Sequence, residues 1–284
     1  MDLRDVELAT ALRRVLYQSI PSYAFDPDMV DIAVNTSCYN NTVMKNRIQY
    51  LPVFGVPFPE STFMDFLDNF PDFAIDNKLD DSKHLRTWGS HLVMKASVRN
   101  EGSDVRKVTT DDCEFILDGS RLPESPYKSP LLVIRLRPGE EFQFSARSRL
   151  GIPLESPIFQ SFENCWITPR EDGTVRLNVE VLVAEFKDLE VLYRACVEVL
   201  RRKLERLALP HEKSGSFELN NDRFTVTGLI DWLLKNHPAV EYVAFDCPHL
   251  LENKSVLHWR ASKPLHLVWQ EVLGKLPKIL HRKK

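Results

Sequence analysis

The hydrophobic pattern at the start of the chain is that of an amphipathic helix followed by a strand. Over residues 6–19 the apolar side chains recur at spacings of three and four residues, which is typical of a helix with one buried face; they are Leu8, Leu12, Val15, Leu16 and the following Ile20. Pro21 ends this helix. Apolar residues then alternate over residues 29–36, which predicts a half-buried strand, and residues 40–50 are predicted to form a second short helix.

The middle of the chain predicts a β-rich insert. Proline and glycine interrupt regular structure over residues 52–61. An aromatic and acidic stretch follows over residues 63–81, which we interpret as a solvated face over packed phenylalanines and not as a cation site, because no calcium-loop motif orders its carboxylates. Short strands of an antiparallel sheet are then predicted over residues 91–98, 113–117, 131–136 and 141–147.

The last part of the chain predicts a long helix, a linker and a second group of elements. A strand is predicted over residues 174–182 and a long amphipathic helix over residues 189–207, with arginines on its solvent side. Residues 209–216 have the composition of a linker. The elements predicted beyond it are a hairpin from residues 217–219 and 224–226, a helix around 229–234, strands over 240–245 and 255–261, and a helix over 264–280.

The two ends of the chain repeat one pattern. The segment ALRRVLYQSIPSYAFD ends at Asp26, and the segment LIDWLLKNHPAVEYVAFD ends at Asp246. Each combines an amphipathic helix, a proline and an aromatic strand that closes on Ala-Phe-Asp. We interpret them as two copies of one helix–strand unit that pair about a two-fold axis inside one chain, because each apolar helix face needs a partner.

The composition is that of a globular protein, with 43% hydrophobic and 27% charged residues among 284. A net charge of −3 argues against a chain whose main task is to bind nucleic-acid phosphates, since such proteins carry a basic excess. The five cysteines lie singly, without the paired spacing of zinc or iron–sulfur ligands. The start, MDLRDVELAT, lacks the apolar core of a signal peptide, and no stretch is long enough for a membrane span, so we expect an intracellular protein.

The first half of the chain also carries a series of short motifs in a fixed order. They are Leu8-Ala-Thr-Ala-Leu-Arg-Arg-Val15, Val34-Asn-Thr-Ser37, Met44-Lys-Asn-Arg47 with Leu51-Pro52, Val108-Thr-Thr-Asp-Asp112 and residues 131–140. This series resembles the alpha-type assembly subunits of multisubunit DNA-directed RNA polymerases, whose pattern is L-A-N-x-L-R-R-x-L, V-x-x-N-T-S, H-R-x-G-x-x-P-L and V-T-S-x-D. The chain departs from the family at Thr10, and it lacks the four cysteines that the family's inserted domain often carries.

The second half carries motifs of the small partner subunit of the same family. They are Phe224-Thr-Val-Thr-Gly-Leu-Ile230, Asn236-His-Pro238, residues 240–249 and Leu251-Glu-Asn-Lys254. One chain therefore resembles both partners in tandem, the archaeal D and L subunits or the eukaryotic third and eleventh subunits. The arrangement is similar to the fused assembly subunits of some large nucleocytoplasmic DNA viruses.

The resemblance implies an α+β fold. Two alpha-subunit-like helix–strand dimerisation units would pair as an intramolecular pseudo-dimer, with an antiparallel β-rich domain inserted in the first. The expected ranges are 1–52 and 161–209 for the first unit, 53–160 for the insert, 210–216 for the linker and 217–284 for the small-subunit-like unit.

The function implied by the resemblance is that of a non-catalytic platform on which a polymerase assembles. Its expected partners are two large catalytic subunits and a small accessory subunit, with DNA touched only indirectly and no membrane contact. No cofactor, zinc ion or iron–sulfur cluster is expected in this chain, since the catalytic magnesium would reside in a partner. The expected location is the host cytoplasm or the virion if the source is viral, with the nucleus as a further option.

The candidate site residues form two groups, and none is catalytic. Candidates for contact with other subunits are Leu12, Arg13, Arg14, Asn35, Arg47, Glu252 and Lys254. Candidates for the interface between the two units, taken from the apolar stripes, are Leu192, Cys196, Leu200, Leu233, Val268 and Val272.

Two alternative functions remain open at this stage. A free-standing enzyme would use the aromatic and acidic stretch with Asp68 or Asp72, although no phosphate loop, HExxH or GxSxG motif occurs. A single-stranded nucleic-acid binder would use the basic helix over residues 194–206.

Overall fold

The structure is a computed structural model that describes residues 2–3, 5–71, 85–181, 188–220, 225–249, 252 and 254–280. Its helices are α1 (Val6–Gln18), α2 (Asn41–Gln49), α3 (Glu60–Asn69), α4 (Leu189–Glu205), α5 (Thr225–Lys235) and α6 (Leu265–Leu280). Its strands are β1 (Asp2–Leu3), β2 (Ser22–Asn35), β3 (Leu92–Arg99), β4 (Arg106–Thr109), β5 (Glu114–Leu117), β6 (Ser120–Arg121), β7 (Leu132–Leu136), β8 (Glu141–Gly151), β9 (Phe162–Pro169), β10 (Val175–Val181), β11 (Ser214–Asn220), β12 (Val240–Asp246) and β13 (Lys254–Ala261). The predicted α+β class with antiparallel sheets is confirmed.

The first unit combines a three-stranded sheet with two helices. The strand order is β1-β10-β9, and both pairings are antiparallel. α1 packs on β9 and β10 and against α4, because its stripe of buried side chains must be covered. α4 begins where the side chain of Asp188 accepts a hydrogen bond from the backbone N of Glu190.

The second unit repeats this plan. Its strand order is β11-β13-β12, again antiparallel, and α5 packs on β12 and β13 and against α6. In both units the chain order is strand, helix, strand, strand, helix, apart from the segment that separates α1 from β9 in the first unit. In both sheets the third strand of the unit lies in the centre.

The segment between α1 and β9 builds a separate sheet with the order β2-β8-β3-β5-β6, beside which β4 pairs with β7. β2 runs antiparallel to β8 from the pair Ser22 and Gly151 to the pair Asn35 and Phe142. α2 packs on β2. The hydrogen bonds of this sheet therefore join residues on both sides of the expected boundary at residue 52.

One predicted hairpin is wrong, and the predicted linker is shorter than expected. β11 pairs with β13 instead of with residues 224–226; Thr225 and Val226 begin α5, and residue 224 lies outside the described part of the chain. Their β-branched side chains favour a strand locally, but burial against neighbouring helices decides for a helix. Residues 214–216 of the expected linker belong to β11.

The repeated pattern at the two ends is confirmed for the helices and not for the strands that follow them. The segment that ends at Asp26 belongs to β2 and pairs with β8 of the insert. The segment that ends at Asp246 belongs to β12 and pairs with β13. β12 is an edge strand of the second sheet, and the equivalent edge strand of the first sheet is β9. The hydrophobic pattern did not predict β9.

The helices of the two units share one core. α1 packs against α5, and α4 packs against both α5 and α6. A side-chain hydrogen bond crosses between the units at the end of α1, where Oγ1 of Thr225 donates to Oε1 of Gln18 at 3.5 Å. The hydrophobic cluster is continuous from the insert through both units.

Candidate subunit-interaction surfaces

The predicted contact residues on α1 are more enclosed than expected. Leu12 is 1% exposed and lies in the core, so it offers no surface to another subunit, which corrects that prediction. It is buried because it belongs to the apolar stripe that α5 and the first sheet cover. Arg13 and Arg14 are half-buried and keep part of their surface accessible.

Asn35 organises the turn between β2 and α2. Its Nδ2 donates to the backbone O of Tyr39 at 2.8 Å and to Oδ1 of Asn41 at 2.7 Å. Its Oδ1 accepts from the backbone N and from Oγ of Ser37, at 3.1 and 2.7 Å. These four bonds use both ends of the amide, so Asn35 fixes the turn that positions α2.

α2 presents Arg47 to solvent. The helix starts at Asn40, whose Oδ1 accepts from the backbone N of Val43 at 2.8 Å. Met44 and Ile48 are fully buried and anchor the helix on the insert. Arg47 lies in the last turn, where the helix dipole favours a cation.

Glu252 and Lys254 lie at one end of the second sheet, and both are exposed. Lys254 begins β13 and pairs with Asn220, the last residue of β11. The exposed position leaves both charges accessible to a partner.

All the residues predicted to join the two units are buried. They lie on three helices that pack on one another, and they are Leu192, Cys196, Leu200, Leu233, Val268 and Val272. Burial of one such side chain contributes about 1.5–3 kcal/mol to the stability of the fold.

The basic face of α4 is engaged by neighbouring carboxylates. Arg194 pairs with Glu60 at 3.0 Å, and Arg202 pairs with Asp68 at 2.5 Å. Glu60 and Asp68 are eight residues apart on α3, and Arg194 and Arg202 are eight residues apart on α4. Eight helical residues span about 12 Å, so α3 and α4 lie side by side and run in the same direction. Arg201 binds Glu198 and Glu205 on its own helix.

Burial makes two of the cysteines, Cys113 and Cys165, weakly acidic thiols. All five are free. Burial, with a smaller contribution from Asp112 and Asp111, raises the pKa of Cys113 to about 12. Burial raises the pKa of Cys165 to about 11, although the charge of Arg13 opposes the rise. These thiols are protonated at neutral pH, and among the described residues no three His, Cys, Asp or Glu side chains are grouped to hold a metal ion.

Comparison with known proteins finds two polymerase subunits. A protein of Acanthamoeba polyphaga mimivirus, named as a DNA-directed RNA polymerase subunit, is 22% identical over 290 residues, which cover 89% of this chain and 78% of the relative. Subunit 3 of the DNA-directed RNA polymerases II, IV and V of Arabidopsis thaliana is 26% identical over 150 residues, 52% of this chain and 45% of that subunit. The resemblance to RNA polymerase subunits is confirmed. No family model matches the chain.

α2 of this polymerase-subunit-like chain has a second feature that its hydrophobic pattern does not predict. Val43 and Tyr50 are exposed beside Arg47, and Tyr39 is exposed in the preceding turn. The apolar residues of this helix lie on two sides, so its amphipathic pattern is weak. That weak pattern is the sequence feature that indicates exposed apolar residues on α2.

No helix in the described ranges combines the length and apolar character needed to cross a bilayer.

Proposed function

We propose that this chain is a subunit of a multisubunit DNA-dependent RNA polymerase and acts as the non-catalytic platform on which two large catalytic subunits assemble. A small accessory subunit is a further partner, and DNA is contacted through the large subunits. The names of the two relatives support this, and the viral relative matches over 89% of the chain. The chain needs no cofactor of its own for this task, since its work is packing and docking.

The repeated plan of the two units is the observation that carries the proposal. A two-fold axis pairs equivalent elements with each other. Here α1 packs against α5, its equivalent, and α4 packs against α6, its equivalent. This supports an intramolecular pseudo-dimer in which β1, α1, β9, β10 and α4 form one unit, the elements from β11 to α6 form the other, and the segment between α1 and β9 is the insert.

Five charged residues are the proposed contacts to other subunits. They are Arg13, Arg14, Arg47, Glu252 and Lys254; the first two are half-buried and the other three are exposed. Asn35 contributes indirectly, because its hydrogen bonds position the helix that carries Arg47. Arginine suits such contacts because its planar group forms paired hydrogen bonds with carboxylates.

The alternative functions find less support. A nucleic-acid site on α4 would need free cations, but Arg194, Arg201 and Arg202 are bound to carboxylates of this chain. An enzyme that uses Asp68 would need a free carboxylate, but Asp68 accepts from Arg202. Asp72 lies outside the described residues.

The test is affinity purification of the tagged chain from its native setting, with mass spectrometry of the proteins that accompany it. We expect two large polymerase subunits, and recovery of neither would overturn the proposal. Val268→Asp, which places a charge between the units, should lose both. Leu267→Asp, at the exposed neighbouring position of the same helix, is the matched control and should retain them.

A further inference from the structure

The second sheet, formed by β11, β13 and β12, has one covered and one uncovered face. Alternate side chains of a strand lie on opposite faces, and one set in this sheet is buried on the side of α5; its members are Leu219, Val243, Leu257 and Trp259. Gly215 of β11 lies opposite Trp259, where a Cβ atom would come 3.1 Å from the indole ring. Gly215 therefore belongs to the covered face, and its neighbours Ser214 and Ser216 belong to the uncovered face.

One half of the uncovered face combines an aromatic ring, two basic side chains and two hydroxyl groups. Across the sheet, Arg260 of the central strand β13 lies between Tyr242 of β12 and Ser214 of β11. His258, two residues earlier in β13, lies beside Ser216. All five residues are exposed, and Tyr242 keeps 56% of its surface accessible. These five residues are the β13 patch.

The basic side chains of the β13 patch are available to a ligand. Within the part of the chain that the structure describes, neither Arg260 nor His258 forms an ion pair or a side-chain hydrogen bond. α4 is different, because Arg194 and Arg202 are held there by carboxylates of this chain. An anion that binds the β13 patch therefore has no internal carboxylate to displace, and a charged acceptor such as phosphate strengthens each hydrogen bond.

Carboxylates confine anion binding to this half of the face. At the other end of β13, Val256 lies between Asp246 and Glu218. Val256 is four residues from Arg260, a distance of about 13 Å along a strand. Glu241, which precedes Tyr242, is the extra residue of a bulge in β12. A ligand of the β13 patch thus carries only a few anionic groups over this length and offers a flat surface to the tyrosine ring.

We propose that the β13 patch binds single-stranded RNA, a function that goes beyond the proposed assembly role. A base stacks on the exposed ring of Tyr242, and Arg260 binds a phosphate. Ser214, Ser216 and His258 lie in the same two rows of the sheet and offer hydrogen bonds to 2′-hydroxyl groups, which distinguish RNA from DNA. A duplex fits poorly, because its bases are already stacked on one another.

The test is fluorescence anisotropy of the purified full chain with a short labelled oligouridylate. We expect Tyr242→Thr, which keeps a strand-forming residue, to weaken binding about tenfold, because the contact with one stacked base is lost. Tyr242→Phe keeps the ring and should bind like the wild type.

A second set of substitutions tests the charge. Arg260→Gln should weaken binding and reduce the slope of log affinity against log salt concentration by about 0.7, the contribution of one phosphate contact on a single strand. Arg121→Gln is the matched control, because it removes an exposed arginine of the insert and should change neither quantity. Glu241→Gln removes a carboxylate next to Tyr242 and should tighten binding about twofold.

The outcomes decide both the site and the ligand. Absence of binding by the wild type, or equal weakening by Arg260→Gln and Arg121→Gln, would overturn the site. Equal affinity for an abasic strand would exclude stacking, and equal affinity for oligodeoxyuridylate of the same length would overturn the choice of RNA. Self-association of the wild type that Arg260→Gln abolishes would show that a second copy covers the face, which also overturns the proposal. The abasic strand is tested on the wild type, so a misfolded Tyr242→Thr leaves the test intact.

Discussion

Arg149 of β8 donates from Nε to Oδ2 of Asp26 in β2 at 2.5 Å, and the two side chains are only 6% and 4% exposed. Nη2 of Arg149 also donates to Oε1 of Glu155 at 2.6 Å, and its guanidinium lies 4.7 Å from the centre of the Phe159 ring. The group ties the insert sheet to the segment that leads into β9. A buried ion pair of this kind adds little net stability, but removal of one partner is costly because the other charge stays buried.

We therefore expect Arg149→Met to lower the free energy of unfolding by about 3 kcal/mol, the lower end of the cost of breaking a buried ion pair. Asp26 stays charged in the core and, among the described residues, keeps only Arg86 as a cationic partner, whose Nε lies 3.5 Å from its Oδ2. Urea denaturation of the purified chain measures this. The double variant with Asp26→Asn should recover part of the loss. Arg121→Met removes the exposed pair with Glu114 and should cost below about 1 kcal/mol. If Arg149→Met and Arg121→Met lowered the free energy of unfolding equally, the buried ion pair would not have the energetic role that we assign to it.

We expect Glu198 to make the stability of α4 dependent on pH. Partial burial would raise the pKa of this carboxyl, but hydrogen bonds from Arg201 and Arg202, with their charges, lower it below its ordinary 4.5. A lowered pKa in the folded state adds stability that is present above the unfolded-state pKa and lost as the pH falls through the folded-state pKa. The difference in unfolding free energy between the wild type and Glu198→Gln should thus shrink as the pH falls below 4.5. Urea titrations over a pH series test this, and a constant difference would contradict it.

The thiols should differ in reactivity. Cys38 is exposed, whereas Cys165 and Cys196 are buried, and burial raises the pKa of both buried thiols. We expect iodoacetamide at neutral pH to modify Cys38 in the native chain and to reach the buried pair only after denaturation, because the thiolate is the reactive form. Mass spectrometry of peptides reads out each site. Equal labelling of Cys196 and Cys38 in the native chain would show that the helix core opens.

The two halves should remain associated after the connection between them is cut. The backbone N of Leu265 donates to O of Glu212, and that of His266 to O of Pro210, both at 3.0 Å, so the connection caps the first turn of α6. A protease sequence inserted after Ala208, which is exposed, allows cleavage of the folded chain. We expect both fragments to elute together in size-exclusion chromatography, because the helix core holds them. Separate elution without denaturant would contradict this, and elution in urea is the control.

Local sequence patterns are sufficient to predict the elements with strong periodicity. α1, α4 and α6 follow from apolar residues at helical spacing, and their buried faces are the ones that the pattern indicates. The motifs around Arg13 and Asn35 also sufficed for the resemblance that the comparisons confirm. Local patterns predict these helices and their buried faces because the apolar side of each helix must be buried, whichever element packs against it.

Strand pairing and the accessibility of the charged side chains depend instead on contacts between residues that are distant in the sequence. Val226 favours a strand locally but lies in a helix, and β2 joins the sheet of the insert because β8 runs beside it over its whole length. Arg202 belongs to a basic helix in the sequence, yet α3 brings Asp68 against it. Pairings between residues distant in the chain depend on the three-dimensional arrangement of all elements, which no local period encodes.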